Sequence, residues 1–134
     1  MTQKLAIVTL VVKDYDEALD FFMQKLSFQL VEDTRLTDQK RWVLVSPPGD
    51  PGCRILLAKA ANEKQIASVG NQAGGRVAFF LHTDNFQADY KRLSGNGVHF
   101  VREPKEETYG TVAVFEDLYG NLWDLIQPKP DNRH

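Results

Sequence analysis

A single cysteine, Cys53, excludes an intrachain disulfide in this chain of 134 residues. It follows Pro51-Gly52 and reads as a turn residue with no nucleophilic role. Long hydrophobic runs are also missing. Apolar residues make up 43% of the chain, yet no stretch nears the ~18 needed to span a bilayer, so no membrane partner is expected. Met1-Thr2-Gln3-Lys4 leads straight into a strand pattern without the segments of an export signal, which makes the cytoplasm the expected compartment. Neither sign of charge dominates: 16 Lys and Arg stand against 18 Asp and Glu. A net charge of −2 supplies no basic face for a phosphate backbone, so nucleic acid is not an expected partner. Arg35, Lys40 and Arg41 come nearest to a basic run, but Leu36-Thr37-Asp38-Gln39 breaks it, and it reads as a solvated hairpin edge. Gly74-Gly75 is followed by no Gly-Lys-Ser/Thr and is not a phosphate loop. His82 and His99 sit at strand ends and His134 is terminal; each reads as exposed or locally bonded rather than as a ligand.

What the chain does contain is a repeat. Leu10-Val11-Val12-Lys13-Asp14 running into Ala18 matches Phe80-Leu81-His82-Thr83-Asp84 running into Ala88, with 70 positions from Asp14 to Asp84. In each copy a period-2 apolar run stops at an Asp, and Glu17 or Gln87 follows three residues later, as in a strand, an N-cap and a helix. The same offset pairs Phe28 with Val98 and Val31 with Val101, so the next strand repeats too.

The rest of the pattern completes two β-α-β-β-β modules. In the first, strands are expected over 4–12, beginning at 28–31, and over 41–46 and 54–58, with Ala18, Phe22 and Leu26 forming the inward stripe of a helix. Residues 61–75 connect the modules, with room for a short helical turn. The second has strands over 76–81, 98–102, 111–116 and 122–126, a helical stripe of Phe86, Tyr90 and Leu93, and Gly95-Asn96-Gly97 as the helix stop. The expected organisation is one domain over 1–134: module one about 4–60, module two about 76–127, and a polar tail over 128–134. The fold class is α+β, two βαβββ modules forming a curved mixed sheet around a shared concave pocket.

These modules, the Val-Val-Lys-Asp strand end before Ala-x-x-Phe-Phe, and Phe-Glu-Asp-Leu-Tyr-Gly-Asn-Leu-Trp-Asp-Leu near the end resemble the vicinal oxygen chelate superfamily, the group of glyoxalase I, bleomycin-resistance proteins and extradiol dioxygenases. The resemblance runs from about Leu5 to Gln127. It implies a homodimer, because relatives cover their sheet edges by pairing modules within or between chains. It also implies a divalent cation in metal-dependent members, held by the first and last strand of each module. The positions corresponding to those ligands are Ile7, Leu56, Val77 and Asp124, of which only Asp124 carries a donor. A slip of one residue brings Ala6, Val8, Arg76, Ala78, Ile55 or Leu57, none of them a ligand. No metal site and no cofactor are therefore expected.

By strand alternation the cavity face should show Ile7, Thr9 and Val11 in module one and Val77, Phe79 and Leu81 in module two. Leu56 and Asp124 set the parity of the last strands and add Arg54, Ala58, Leu122 and Ile126. The expected ligand-binding residues are Ile7, Thr9, Arg54, Leu56, Val77, Phe79, Tyr109 and Asp124, with Arg54 and Asp124 as the polar groups and Trp42 and Tyr109 near the mouth. Three functions remain open: a metal-free protein binding an apolar or aromatic small molecule; a glyoxalase-like lyase, isomerase or dioxygenase with an atypical metal site or with Asp124, the one catalytic candidate, as base; and an interaction module whose pocket is filled.

Overall fold

The computed structural model describes residues 1–130, so His134 and the end of the polar tail lie outside the described residues. The chain divides into two compact units, Met1–Gly70 and Asn71–His134.

In the first unit β1 (Ile7–Val12) leads to α1 (Tyr15–Asp20), and β2 (Gln29–Arg35), β3 (Arg41–Ser46), β4 (Arg54–Lys59) and α2 (Glu63–Ser68) follow. Asp14 caps α1, its carboxylate accepting the Glu17 amide at 2.9 Å, which satisfies a donor the helix start leaves open. The helix continues as a π-helical turn over Phe21–Lys25. Ala18, Phe22 and Leu26 form its inward stripe and are all buried, each large side chain contributing roughly 1.5–3 kcal/mol of burial. The sheet order is β1-β4-β3-β2, with β1 parallel to β4 and the other pairs antiparallel. On β1 the helix-side residues Leu10 and Val12 are buried, while Ile7 and Thr9 are exposed on the alternate face.

The second unit repeats this order with β5 (Val77–His82), α3 (Phe86–Gly95), β6 (Phe100–Glu107), β7 (Gly110–Glu116) and β8 (Leu122–Pro128), arranged β5-β8-β7-β6. The fold is thus α+β, two similar modules each built on a four-stranded mixed sheet.

Between the first strand and the start of the second, two insertions separate the copies. In β5, Val77 pairs with Leu122 but Phe79 pairs with the very next residue, Trp123, so Ala78 is an extra residue in the ladder. Downstream the separation between copies becomes 71: the cap corresponding to Asp14 is Asn85, which accepts the Ala88 amide at 3.3 Å, and not Asp84. In the first unit the π-helical turn supplies the compensating residue. Phe28 N–H bonds back six residues to Phe22, whereas Val98 N–H bonds back only five to Leu93, and the separation returns to 70.

Candidate functional site

A half-open cleft of about 640 Å³ is carved into the first unit, within the roughly 300–1,000 Å³ that small-molecule sites occupy. Its floor is the sheet face turned away from α1, with Thr9 from β1, Leu56 and Ala58 from β4, and Trp42 from β3. Thr9 and Leu56 are direct cross-strand partners, and so are Val11 and Ala58, which is why a period-2 pattern places them side by side. Ala60, Ala61 and Gln65 close one side as the chain leaves β4 for α2, and Gln39, Lys40 and Tyr15 stand on the other.

Arg41 organises that second side. Its guanidinium grips Asp33 through two bonds, Nε to Oδ1 at 3.1 Å and Nη2 to Oδ2 at 2.7 Å, and donates through Nη1 to Asp16 at 2.9 Å. It also lies over the Tyr15 ring, 5.1 Å from the centroid, while the Arg41 backbone N–H donates to the Tyr15 hydroxyl oxygen at 3.1 Å. The expectation of a simply solvated basic edge is therefore corrected at Arg41: strand pairing brings Asp33 diagonally beside it, and the side chain is largely covered. The hydrogen bonds from Arg41 hold the Asp33 carboxyl below the usual carboxylate range, and those from Asp33 first, then Asp16, raise Arg41 above its own.

A carboxyl with a lowered folded-state pKa contributes stability that is fully present above its unfolded value of 3.8 and is lost as pH falls through the lower folded value. The pair is partly solvated, so its worth is at most about 1 kcal/mol. Urea unfolding from neutral pH to about pH 2 should show a shallower acid decline in Asp33→Asn than in the natural chain. Parallel declines would show that this ion pair does not feed the acid limb.

Of the expected ligand-binding residues, the cleft brings together Thr9 and Leu56. Ile7 pairs with Arg54 one step along the same sheet face, but neither lines the cleft. Arg54 departs from its expected inward role: its Nη1 donates to the carbonyls of Asp50 and Gly52 at 3.0 and 3.1 Å and clips the Pro-Gly turn. Val77, Phe79, Tyr109 and Asp124 belong to the second unit. Val77 precedes the Ala78 insertion and pairs with Leu122, and half-buried Tyr109 stands on the β6–β7 hairpin, its carbonyl accepting Lys129 N–H at 2.9 Å.

Phe79 is a second departure. The Ala78 insertion flips the alternation, so Phe79 stacks on buried Trp123 with 4.3 Å between centroids. It ends an aromatic row, Phe100–Phe115–Trp123–Phe79, that crosses all four strands through paired positions. Phe80, which is 57% exposed, takes the opposite face instead, paired with Asp124. Asp124 itself is buried between Phe80 and its other partner Val114.

The sequence matches the Glyoxalase/Bleomycin resistance protein/Dioxygenase superfamily over residues 4–125. The chain belongs to this superfamily. Within it, an uncharacterized protein of Shewanella frigidimarina is 59% identical over 128 residues, covering 95% of each chain. The crystal structure of UcmS2 is similar at 34% identity and a TM-score of 0.83, over 94% of this chain and 98% of that one. TnmS3, an antibiotic binding protein from Streptomyces sp. CB03234, is similar at 27% identity and a TM-score of 0.75, over 96% and 98%.

At the four positions that the resemblance to metal-dependent relatives points to, Ile7, Leu56 and Val77 supply aliphatic carbon and Asp124 the one donor. Among the described residues no three His, Cys, Asp or Glu side chains are grouped to hold a metal ion. The donor set does not fit such a centre, and no chemistry is routed through one. Tyr15, Lys40, Arg41, Ala60, Ala61 and Gln65 line the cleft without having been singled out as site residues. Only the Tyr directly after the α1 cap hinted at this, since a phenol there can reach a neighbouring strand.

Proposed function

We propose that this member of the glyoxalase/bleomycin-resistance superfamily is a small-molecule-binding protein that holds an apolar or aromatic ligand in the cleft of its first unit. The observation that carries the reading is a cleft of about 640 Å³ floored by Leu56, Ala58 and the half-buried indole of Trp42, an aromatic surface available for stacking. Its similarity to TnmS3, an antibiotic binding protein, supports ligand holding as the activity. The aliphatic residues at three of four chelating positions support a ligand held by packing and hydrogen bonds rather than through a metal.

A thermal-shift screen of aromatic compounds, followed by calorimetry of the hits, tests this. Trp42→Ala should weaken the hits by about tenfold or more, as expected for an aromatic contact together with its buried area. Hits that bind Trp42→Ala unchanged would place the ligand elsewhere and remove the cleft from the reading.

A further inference from the structure

The charged groups around the cleft are all cationic. Lys40, Arg41 and Lys59 line it together with the amides of Gln39 and Gln65, and no Asp or Glu does. Arg41 is already spent on Asp33 and Asp16. Lys40 differs: among the described residues it has no carboxylate partner. It stands just before β3, two positions from Trp42 and so on the floor side, whereas Lys59 pairs with Val12 and keeps to the α1 side of β4.

Gln65 adds a directed donor. Its side-chain oxygen accepts the Ala61 N–H at 2.7 Å, and its own backbone N–H is taken by the Asn62 cap at 2.9 Å. With that oxygen engaged, the amide NH₂ is the end left to meet a ligand. An apolar floor therefore meets a rim that offers protons and positive charge. A neutral hydrocarbon leaves the Lys40 ammonium group unused, and a cation is repelled by it.

We infer that the ligand of this cleft is an aromatic or apolar acid, its rings on Trp42 and Leu56 and its anionic group toward Lys40 and the Gln65 amide. The inference rests on the binding function proposed above and narrows it to one charge class.

Three probes of matched shape separate the two: 2-naphthoate, 2-naphthylmethanol and 2-naphthylmethylammonium, titrated into the full-length protein by calorimetry. At low salt the naphthoate should bind about tenfold tighter than the alcohol, and the ammonium weakest; raising salt to about 0.5 M should shrink the gap, since exposed charges are screened. Lys40→Gln should bring naphthoate to within about twofold of the alcohol. The substitution is at an exposed side chain, so the fold is retained. Equal binding of naphthoate and alcohol to the natural chain, with both weakened by Trp42→Ala, would overturn the charge preference and leave the cleft standing. A naphthoate preference that survives Lys40→Gln would overturn the assignment to this lysine. Probe binding indifferent to Trp42→Ala would overturn both readings.

Discussion

Asp117→Ala is expected to cost the fold roughly 3 kcal/mol, because it strands several buried donors that each cost about 1–3 kcal/mol when left unsatisfied. One carboxylate closes the whole β7–β8 turn. Its Oδ1 accepts the backbone N–H of Tyr119 and of Asn121, both at 3.0 Å, and its Oδ2 accepts Asn121 Nδ2 and Trp123 Nε1, both at 3.1 Å. Asp117 and Asn121 are 5% and 3% exposed, so water cannot replace the lost acceptor without opening the turn. Urea unfolding should show a midpoint lowered by more than about 1 M at an unchanged slope. Asp117→Asn keeps one acceptor and should lose about half as much. A loss below about 1 kcal/mol in the alanine variant would mean that the turn holds by its backbone alone.

Trp123→Ala should be costlier still, in the range of about 3–5 kcal/mol seen when large aromatic side chains are removed from cores. The indole is 2% exposed, with Phe115 on one side at 5.8 Å and Phe79 on the other at 4.3 Å. Removing it leaves a gap in the middle of the aromatic row, which the neighbouring strands cannot close without breaking register. Trp123→Phe retains the ring contacts and loses only the Nε1 bond to Asp117, so it should fall well short of the alanine variant. Because the two residues share that bond, their alanine variants combined should destabilise by less than the two separate losses together. Full additivity in the urea measurement would show that the row and the turn are independent.

The repeat, the two helices and the central strands were legible because burial on one face writes itself into residue spacing: Leu10 with Val12, and Ala18 with Phe22 and Leu26, are all buried as their periodicity requires. The far ends of the edge strands were not legible. β2 extends to Arg35 and β6 to Glu107, and their outer halves, Glu32-Asp33-Thr34-Arg35 and Glu103-Pro104-Lys105-Glu106, are exposed and polar. An edge strand keeps one row of backbone groups in water and tolerates charge and proline, so it leaves no apolar alternation to follow. The faces of β1 and β4 followed alternation, which placed Thr9 and Leu56 together. The face of β5 did not, because nothing in Val77-Ala78-Phe79-Phe80 marks Ala78 as the residue the ladder skips. Arg41 was opaque for a related reason: its partners Asp16 and Asp33 lie 25 and 8 positions away and meet it only through packing and strand register.

The Ala78 insertion and the π-helical turn bear on how such a duplicated chain can change. From the first strand to the start of the second, each half holds one residue the other lacks, at a different place, so the copies are in step at Ile7/Val77 and again at Phe28/Val98 and slip only in between. Inside that window, numbering and geometry disagree. A residue transplanted from Leu10 to its numerical twin Phe80 moves from a sealed interior to open solvent, although the aligned letters look equivalent. For this stretch the smallest meaningful mutational step is the loss or gain of a whole residue, which turns over an entire strand face at once, and a second such step nearby restores the count, so the surface between them can change while the stretch keeps its length.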